Sequence, residues 1–285
     1  TDNPLIKSLS FENVKKIFST YLAGNYHPFT VLSLAIDYHF NKLDPGGFHA
    51  TNIIIHILNV VLVFFFIRLL SGKSITAFIT ALLFGIHPMH VESVAWVAER
   101  KDVLYVFFYV SSLYIYVLYR KLPERRRVLY FFTLILFIFS LFSKGQAVTL
   151  PVVLLFIDYF PDQKFNKKII FDKIPLFILS IVVGIVAVMA QKSSGSIIDN
   201  PIRPFFERIF FGSFSFLVYI AKMIVPINLS AYYPHPDLAR FLPFYFYLSP
   251  LIILPLVYFI FRAYKKDKIL VFGFGFYMIN ILLLL

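Results

Sequence analysis

Long apolar runs alternate with short polar loops along most of this chain. A helix needs roughly 20 mostly apolar residues to cross a bilayer core of about 30 Å. Nine segments come close to this requirement, and the ninth is the least apolar: 51–70, 75–88, 103–119, 128–143, 146–160, 175–190, 245–263, 268–285 and 205–225. The pattern therefore predicts an all-α polytopic helical membrane protein with about eight or nine transmembrane or re-entrant helices.

Basic residues are concentrated in the loops between these runs, with five in 120–127, four in 164–173 and four in 262–268. Together with Arg68 and Lys73, these loops hold more than half of the 27 Lys and Arg. By the positive-inside rule they lie in the cytoplasm. Membrane topology thus explains the net charge of +12, and no nucleic-acid partner is predicted.

The first 50 residues are more polar and lie on the non-cytoplasmic side in this scheme. Ser10 precedes an amphipathic stretch as a helix cap, whereas His27 and Asp37 interrupt the next apolar run. We therefore predict a single transmembrane domain in which 1–50 forms an outer loop with interfacial helices and 51–285 forms a helical bundle.

Segment 205–225 would begin and end outside in the same scheme. It contains Glu207, Arg208 and Lys222, which favours a helix that lies in the interface or re-enters the membrane. If this segment does span, one of its neighbours does not.

The first predicted span has one polar stripe, since His49, Asn52, His56 and Asn59 recur at helical spacing. In lipid such a stripe must face other protein or water. It could bind neighbouring helices through hydrogen bonds, or it could line a substrate cavity.

The stretch "HPMHVESVAWVAERKD" (87–102) places seven ionisable residues and the single Trp where a span ends. If 89–102 is one helix, Glu92, Trp96 and Glu99 share a face. The charges could simply solvate a loop. His87, His90 and Glu92 are metal-ligand types, but the stretch has no HExxH arrangement and the chain has no Cys, so no metal is predicted.

An anion site is the third interpretation of this stretch. A guanidinium binds phosphate bidentately and an ammonium acts as a point charge, so Arg100 and Lys101 suit an anionic head group. Lys144 is isolated between two spans in "SKGQ" (143–146). This cation is either snorkelling to the interface or binding an anion.

Five blocks resemble, in order, a known family. They are "NYHPFTVLSLAIDYHF", "FHATNIIIHILNVVLVFF", "HPMHVESVAWVAERKDVLY", "SLFSKGQAVTLPVVLLFIDYFP" and "PINLSAYY". The chain is similar over Thr1 to about Tyr233 to the transmembrane and tetratricopeptide repeat containing proteins and their bacterial relatives. These are GT-C class glycosyltransferases similar to the protein O-mannosyltransferases.

The resemblance implies transfer of a sugar such as mannose from a polyprenyl-phosphate donor to a protein Ser or Thr hydroxyl, or to a glycan acceptor. The reaction would take place on the non-cytoplasmic face without a metal or cofactor. The family's general base belongs to an acidic pair just before the position of Asn3 and Pro4, after a first span, and its repeats lie downstream. We expect these parts in a longer chain, because the sequence starts without a signal peptide and stops within an apolar run.

The catalytic residue is therefore not identified, and Asp2 and Glu92 are the available candidates. We predict that the donor phosphate is bound by Arg100, Lys101 and Lys144. The sugar and acceptor are predicted to contact His27, His87, His90 and Glu92.

Two other functions compete with this hypothesis. A transporter would show Gly or Pro interruptions at mid-membrane depth in two matching halves, but Gly is scarce within the spans and no repeat is visible. A membrane anchor for a C-terminal domain would not need acids and His on one face. The composition, rich in Ile, Lys and Phe, suggests a bacterial inner-membrane protein; in a eukaryote the active face would be the endoplasmic reticulum lumen.

Overall fold

The computed structural model describes residues 3–159, 170–196, 204–230, 233, 242–263 and 268–284. These residues form helices joined by short turns, and the described part of the chain contains no β-strand. The predicted all-α class is therefore confirmed.

The N-terminal region folds as a 3-10 turn (Pro4–Ile6), helix α1 (Phe11–Ser19) and helix α2 (Pro28–Asn41). Ser10 caps α1 as predicted, because its side chain accepts a hydrogen bond from the Asn13 N–H at 3.3 Å. The buried core of this region consists of Ile6, Ile17, Val31 and Ala35. This small core holds α2 in place beside the long helices.

Helix α3 (Pro45–Ser71) begins inside the segment predicted as a loop, because the Asp44 side chain caps it and Pro45 occupies its first turn. It ends where Gly72 adopts a left-handed conformation with a φ of 71°, a common helix stop. Helix α4 (Ser74–Ile86) follows directly.

The stretch 87–102 is broken into a 3-10 turn, helix α5 (Val91–Ala95), a second 3-10 turn and the start of helix α6 (Arg100–Lys121). A single helix over 89–102 is therefore wrong. Trp96 has an extended backbone, and the Asn52 amide donates a hydrogen bond to the Val94 carbonyl at 3.1 Å. A side chain from α3 thus takes the place of a helical N–H.

The remaining helices follow in chain order. They are α7 (Arg126–Ser143), α8 (Leu150–Tyr159), α9 (Ile174–Ser193), α10 (Phe205–Ile224), α11 (Phe244–Ala263) and α12 (Lys268–Ile281).

Five helices of the described chain are long and apolar enough to cross a membrane: Pro45–Ser71, Val97–Lys121, Pro123–Ser143, Ile174–Ser193 and Phe244–Ala263. A sixth is added if Ser74–Ile86 and Pro88–Ala95, which are bent by 51°, form one broken span. Two of the predicted segments are shorter apolar helices, Gly145–Tyr159 and Ile269–Ile281. The protein is an integral membrane protein.

Segment 205–225 forms α10 but is not among these five helices. The reason is its charge, since Glu207, Arg208 and Lys222 all lie within the helix. Whether it spans the membrane stays a prediction.

The chain divides into two compact units, Thr1–Leu154 with Phe171–Ile197 and Leu155–Ile170 with Ile198–Leu285. In the first unit α6 packs against both α3 and α7, and half of its most apolar stretch is buried, against 17% for α3. Helix α6 is therefore the central helix of that unit. In the second unit α10 packs on α11. The single domain predicted for the chain stays a prediction.

Candidate functional site

Polar residues of the first unit gather at the N-terminal end of α6. We call this group the α6 N-terminal cluster, and its members are Asp37, Asn52, Ser93, Arg100, Asp102 and Lys144. They come from α2, α3, α5, α6 and the residue that follows α7. Residues from five segments thus meet at the end of the polar stretch 87–102, which lies between two apolar runs in the sequence.

Arg100 is fully buried, with 0% of its surface exposed. Its Nη2 donates to Asp37 Oδ2 at 2.5 Å and to the Phe48 carbonyl at 2.9 Å, while Nε donates to Asn52 Oδ1. The other oxygen of Asp37 accepts a hydrogen bond from Thr51 at 2.9 Å. Because a buried charge is tolerated only when it is paired and hydrogen-bonded, these contacts fix Arg100 between α2 and α3.

This placement does not fit the prediction that Arg100 binds the donor phosphate directly. The guanidinium has no exposed surface, and only Nη1 lacks a hydrogen-bond partner among the described residues. A phosphate would have to enter a closed, occupied site. In this structure Arg100 links the start of α6 to α2 and α3.

Lys144 forms an ion pair with Asp102. About a quarter of each side chain is exposed, 26% for Lys144 and 25% for Asp102. The second carboxylate oxygen of Asp102 accepts a hydrogen bond from Ser93 at 3.2 Å, and the Lys144 ammonium lies 5.8 Å from the ring centroid of Tyr105. The sequence showed no acid near Lys144, but the fold supplies one from α6.

Lys101 pairs with Glu99 at 2.9 Å, and both side chains are partly exposed. Its charge also acts on His27, which immediately precedes α2. Burial, with a smaller contribution from the Lys101 charge, lowers the pKa of His27 to about 4. His27 is therefore neutral at physiological pH and can serve as a hydrogen-bonding group.

His87 and His90, which were also predicted to contact the sugar or acceptor, lie together with their ring centroids 6.2 Å apart. The ring centroid of His56 lies 5.8 Å from that of His90. The Phe84 ring lies 4.6 Å from His90, and His56 Nε2 donates to the Gly85 carbonyl at 3.1 Å. Within the described ranges, no three His, Cys, Asp or Glu are arranged to hold a metal ion. The group offers polar edges and ring faces beside α4.

Glu92 lies exposed in the first turn of α5. Asp2 falls outside the described residues. Of the two predicted carboxylates, only Glu92 is described, and it is not a member of the α6 N-terminal cluster. The acids that the structure brings there, Asp37 and Asp102, were not assigned a role from the sequence.

The polar stripe on α3 binds neighbouring segments. Asn52 and Asn59 are fully buried, and Asn59 donates to the Val103 carbonyl at 2.8 Å. With the bond from His56, three stripe residues contact backbone outside α3. This agrees with the helix-bonding interpretation of the stripe rather than with a cavity lining.

Sequence reasoning missed Asp37 and Asp102 as partners of cations. Asp37 lies 63 residues before Arg100 and Asp102 lies 42 residues before Lys144, so local spacing does not connect them. The available signal for Asp37 was its position, because it is an acid within a largely apolar stretch, where an unpaired charge is costly. Asp102 gave no such signal, since it directly follows Arg100 and Lys101.

A family model described as "Dolichyl-phosphate-mannose-protein mannosyltransferase" matches residues 13–189, which is more than half of the chain. All members of the α6 N-terminal cluster fall within this range. The match thus covers most of the first unit.

Individual relatives agree with this match. The chain is 23% identical over 229 residues to "Protein O-mannosyl-transferase F38B6.6" of Caenorhabditis elegans, covering 75% of this chain and 31% of the relative. It is 36% identical over 93 residues to "Protein O-mannosyl-transferase TMTC1" of Mus musculus, covering 32% and 10%. The chain thus spans less than a third of the length of these curated relatives. No solved structure matches it.

Proposed function

This chain belongs to the dolichyl-phosphate-mannose-protein mannosyltransferase family, and on that premise we propose that it is the membrane part of a GT-C glycosyltransferase. The enzyme moves mannose from a polyprenyl-phosphate donor to a Ser or Thr hydroxyl of a protein. The α6 N-terminal cluster supports this most directly, because it places the partly exposed Lys144 at the end of a membrane helix, near the partly exposed Lys101 at the start of α6.

The donor phosphate is held by Lys144 and Lys101. In the reaction the acceptor oxygen attacks the anomeric carbon, the bond from that carbon to the phosphate oxygen breaks, and the electron pair passes to the phosphate. Two ammonium groups lower the energy of this developing charge when they are already in place. Arg100 does not touch the phosphate; it fixes α2 and α3 against the start of α6, so that both lysines keep their positions.

The proton of the acceptor hydroxyl passes to a carboxylate general base. The family pattern places this base before Asn3, outside the described residues, and Glu92 is the exposed alternative within them. Neutral His27 and the pair His87 and His90 contact the sugar or the acceptor through hydrogen bonds and ring faces. No metal or cofactor takes part in the proposed reaction.

The active face is non-cytoplasmic. This orientation is supported by the basic loops, which place the C-terminal end of α6, beside Arg120 and Lys121, in the cytoplasm. The N-terminal end of the same helix, with its cluster, then lies on the other side. In a bacterium that side of the inner membrane faces the periplasm or the exterior.

The test measures transfer of radiolabelled mannose from polyprenyl-phosphate mannose, beside other polyprenyl-phosphate sugars, by the full-length protein in membranes. Lys144→Ala should lower transfer roughly 100-fold, as for loss of a preorganised charge-stabilising group. Lys16→Ala is the matched control, because Lys16 also forms an ion pair, with Glu12, but is largely exposed.

We expect transfer by the wild type and by Lys16→Ala at equal protein levels. Absence of transfer with every donor would contradict the proposed activity. Full transfer by Lys144→Ala would leave the activity standing and remove Lys144 from the site.

A further inference from the structure

The cations at the N-terminal end of α6 are already neutralised within the protein. Arg100 pairs with Asp37, Lys101 with Glu99 and Lys144 with Asp102. An incoming phosphate therefore meets no unpaired cation among these three pairs. Its binding therefore competes with a carboxylate for the same cation.

The Arg100–Asp37 pair is unsuited to such an exchange. Arg100 is fully buried, and its guanidinium is held by three hydrogen-bond acceptors from two helices. Removing Asp37 from it would leave a buried charge uncompensated, which is strongly unfavourable.

The Lys101–Glu99 pair is partly exposed, but it joins two residues that are close in sequence. The two residues are two positions apart, on the 3-10 turn and the first turn of α6. Within the described chain Glu99 has no second side-chain partner, so displacement would leave its carboxylate to solvent alone.

The Lys144–Asp102 pair meets the requirements for exchange. Both side chains are about one quarter exposed, so a phosphate can approach. After release Asp102 keeps the hydrogen bond from Ser93, which compensates part of the lost contact. Of the three cations, Lys144 can therefore exchange its carboxylate for a phosphate at the lowest cost in free energy.

The backbone at Lys144 is fixed while its side chain is accessible. The buried Thr30 hydroxyl donates to the Ser143 carbonyl at 2.9 Å, and the Lys144 carbonyl accepts a hydrogen bond from the Ala147 N–H at 3.1 Å. A flexible four-carbon side chain on a fixed backbone can turn its ammonium between two anions without moving a helix.

Resting on the proposed function, we infer that Asp102 is the resident counter-ion of the donor site. It holds Lys144 in the empty protein and gives it up to the lipid-linked phosphate. Asp102 thus competes with the phosphate for one ammonium, and the competition sets donor affinity. When the lipid phosphate leaves, the Lys144–Asp102 pair re-forms and assists its release.

The experiment measures binding of undecaprenyl phosphate to the detergent-solubilised full-length protein by native mass spectrometry. Undecaprenol, which lacks the phosphate, and inorganic phosphate, which lacks the lipid, are run as separate arms. Asp102→Asn should tighten undecaprenyl phosphate binding about 3- to 5-fold, the worth of a partly exposed ion pair. Lys144→Ala should weaken it by about 10-fold or more.

The double variant Asp102→Asn with Lys144→Ala distinguishes competition from simple support. If Asp102 acts by holding Lys144, Asp102→Asn should tighten undecaprenyl phosphate binding much less in the Lys144→Ala background than in the wild type. Glu12→Gln, at an exposed ion pair far along the sequence, is the control and should bind as the wild type does. Inorganic phosphate should compete with the lipid, and undecaprenol should not.

A purely structural role for the pair predicts the opposite sign, since Asp102→Asn would then weaken binding or leave it unchanged. Either result would overturn the inference while leaving the proposed transferase intact. Failure of the wild type to bind undecaprenyl phosphate would overturn the inference and also count against the proposed donor. Transfer without the predicted binding changes would overturn the inference alone.

Discussion

The two ends of α6 present different surroundings to a charged side chain. At the N-terminal end, carboxylates pair with Arg100 and Lys144, and Lys144 remains about one quarter exposed. At the C-terminal end Lys173 is fully buried, its ammonium donates to the Tyr116 hydroxyl, and it lies 4.6 Å from the centroid of that ring. One end can exchange a partner for an anion, whereas the other is closed by aromatic side chains.

Aromatic hydroxyls account for much of the C-terminal arrangement. Tyr119 donates to the Asp172 carboxylate at 2.7 Å, and Tyr130 donates to the Asp172 carbonyl at 2.6 Å. These bonds tie α6 and α7 to the chain just before α9. The comparison teaches that burying ionisable groups does not by itself indicate a binding site; partial exposure of a paired charge is the more informative feature.

The largest effect is expected for Asp37→Ala. This change leaves the buried Arg100 guanidinium without its carboxylate, and breaking a buried pair in this way costs about 3–5 kcal/mol. The free energy of unfolding in an SDS titration should fall accordingly. Asp172→Ala at the opposite end should cost only about 1–2 kcal/mol, because its partner Tyr119 is neutral.

Replacing both members of the pair, Asp37→Leu with Arg100→Met, provides the control for this prediction. Because no buried charge is then left unpaired, stability should recover in part. A double variant as unstable as Asp37→Ala would contradict the account, as would equal losses for Asp37→Ala and Asp172→Ala.

The next effect separates the two ends by function. Lys173→Met should lower the free energy of unfolding by about 1–3 kcal/mol, since the buried Tyr116 hydroxyl loses the hydrogen bond from Lys173. Mannose transfer per folded molecule should stay unchanged. Lys144→Ala should show the reverse pattern, with transfer lowered and stability nearly kept. If Lys173→Met and Lys144→Ala lowered transfer to a similar extent, the proposed functional difference between the two ends of α6 would be contradicted.

The smallest effect is a pH dependence at the N-terminal end. The pKa of His27 is lowered from its ordinary 6.5 to about 4 in the folded protein. As the pH falls, the unfolded state therefore binds a proton at His27 before the folded state does. The contribution of His27 to the free energy of unfolding is complete above pH 6.5 and is lost as the pH falls toward 4. At pH 5.5 the loss should be about 1 kcal/mol relative to pH 7.5.

His27→Gln tests this assignment, because it removes the titrating group and retains a polar side chain. The difference in unfolding free energy between pH 7.5 and pH 5.5 should shrink by that amount in the variant. An unchanged pH dependence would mean that other groups produce it. Lys101→Ala should raise the pKa of His27 slightly, since it removes a neighbouring positive charge.

Much of the architecture was predictable because it depends on local sequence. Apolar runs of sufficient length indicated the helices, Ser10 indicated the start of α1, and the family resemblance is confirmed by the match over 13–189. The break within 87–102 was missed, because it depends on an Asn52 side chain that reaches from another helix.

The sequence by itself determined the all-α membrane class, the helix-forming segments and the residue types available for binding an anion. Only the tertiary structure decided which charges face each other. It placed Arg100 against Asp37 and Lys144 against Asp102, and so separated a buried positioning residue from an accessible lysine. The physical reason is that helix formation follows from neighbours a few residues away, whereas ion pairing and burial depend on how distant helices pack.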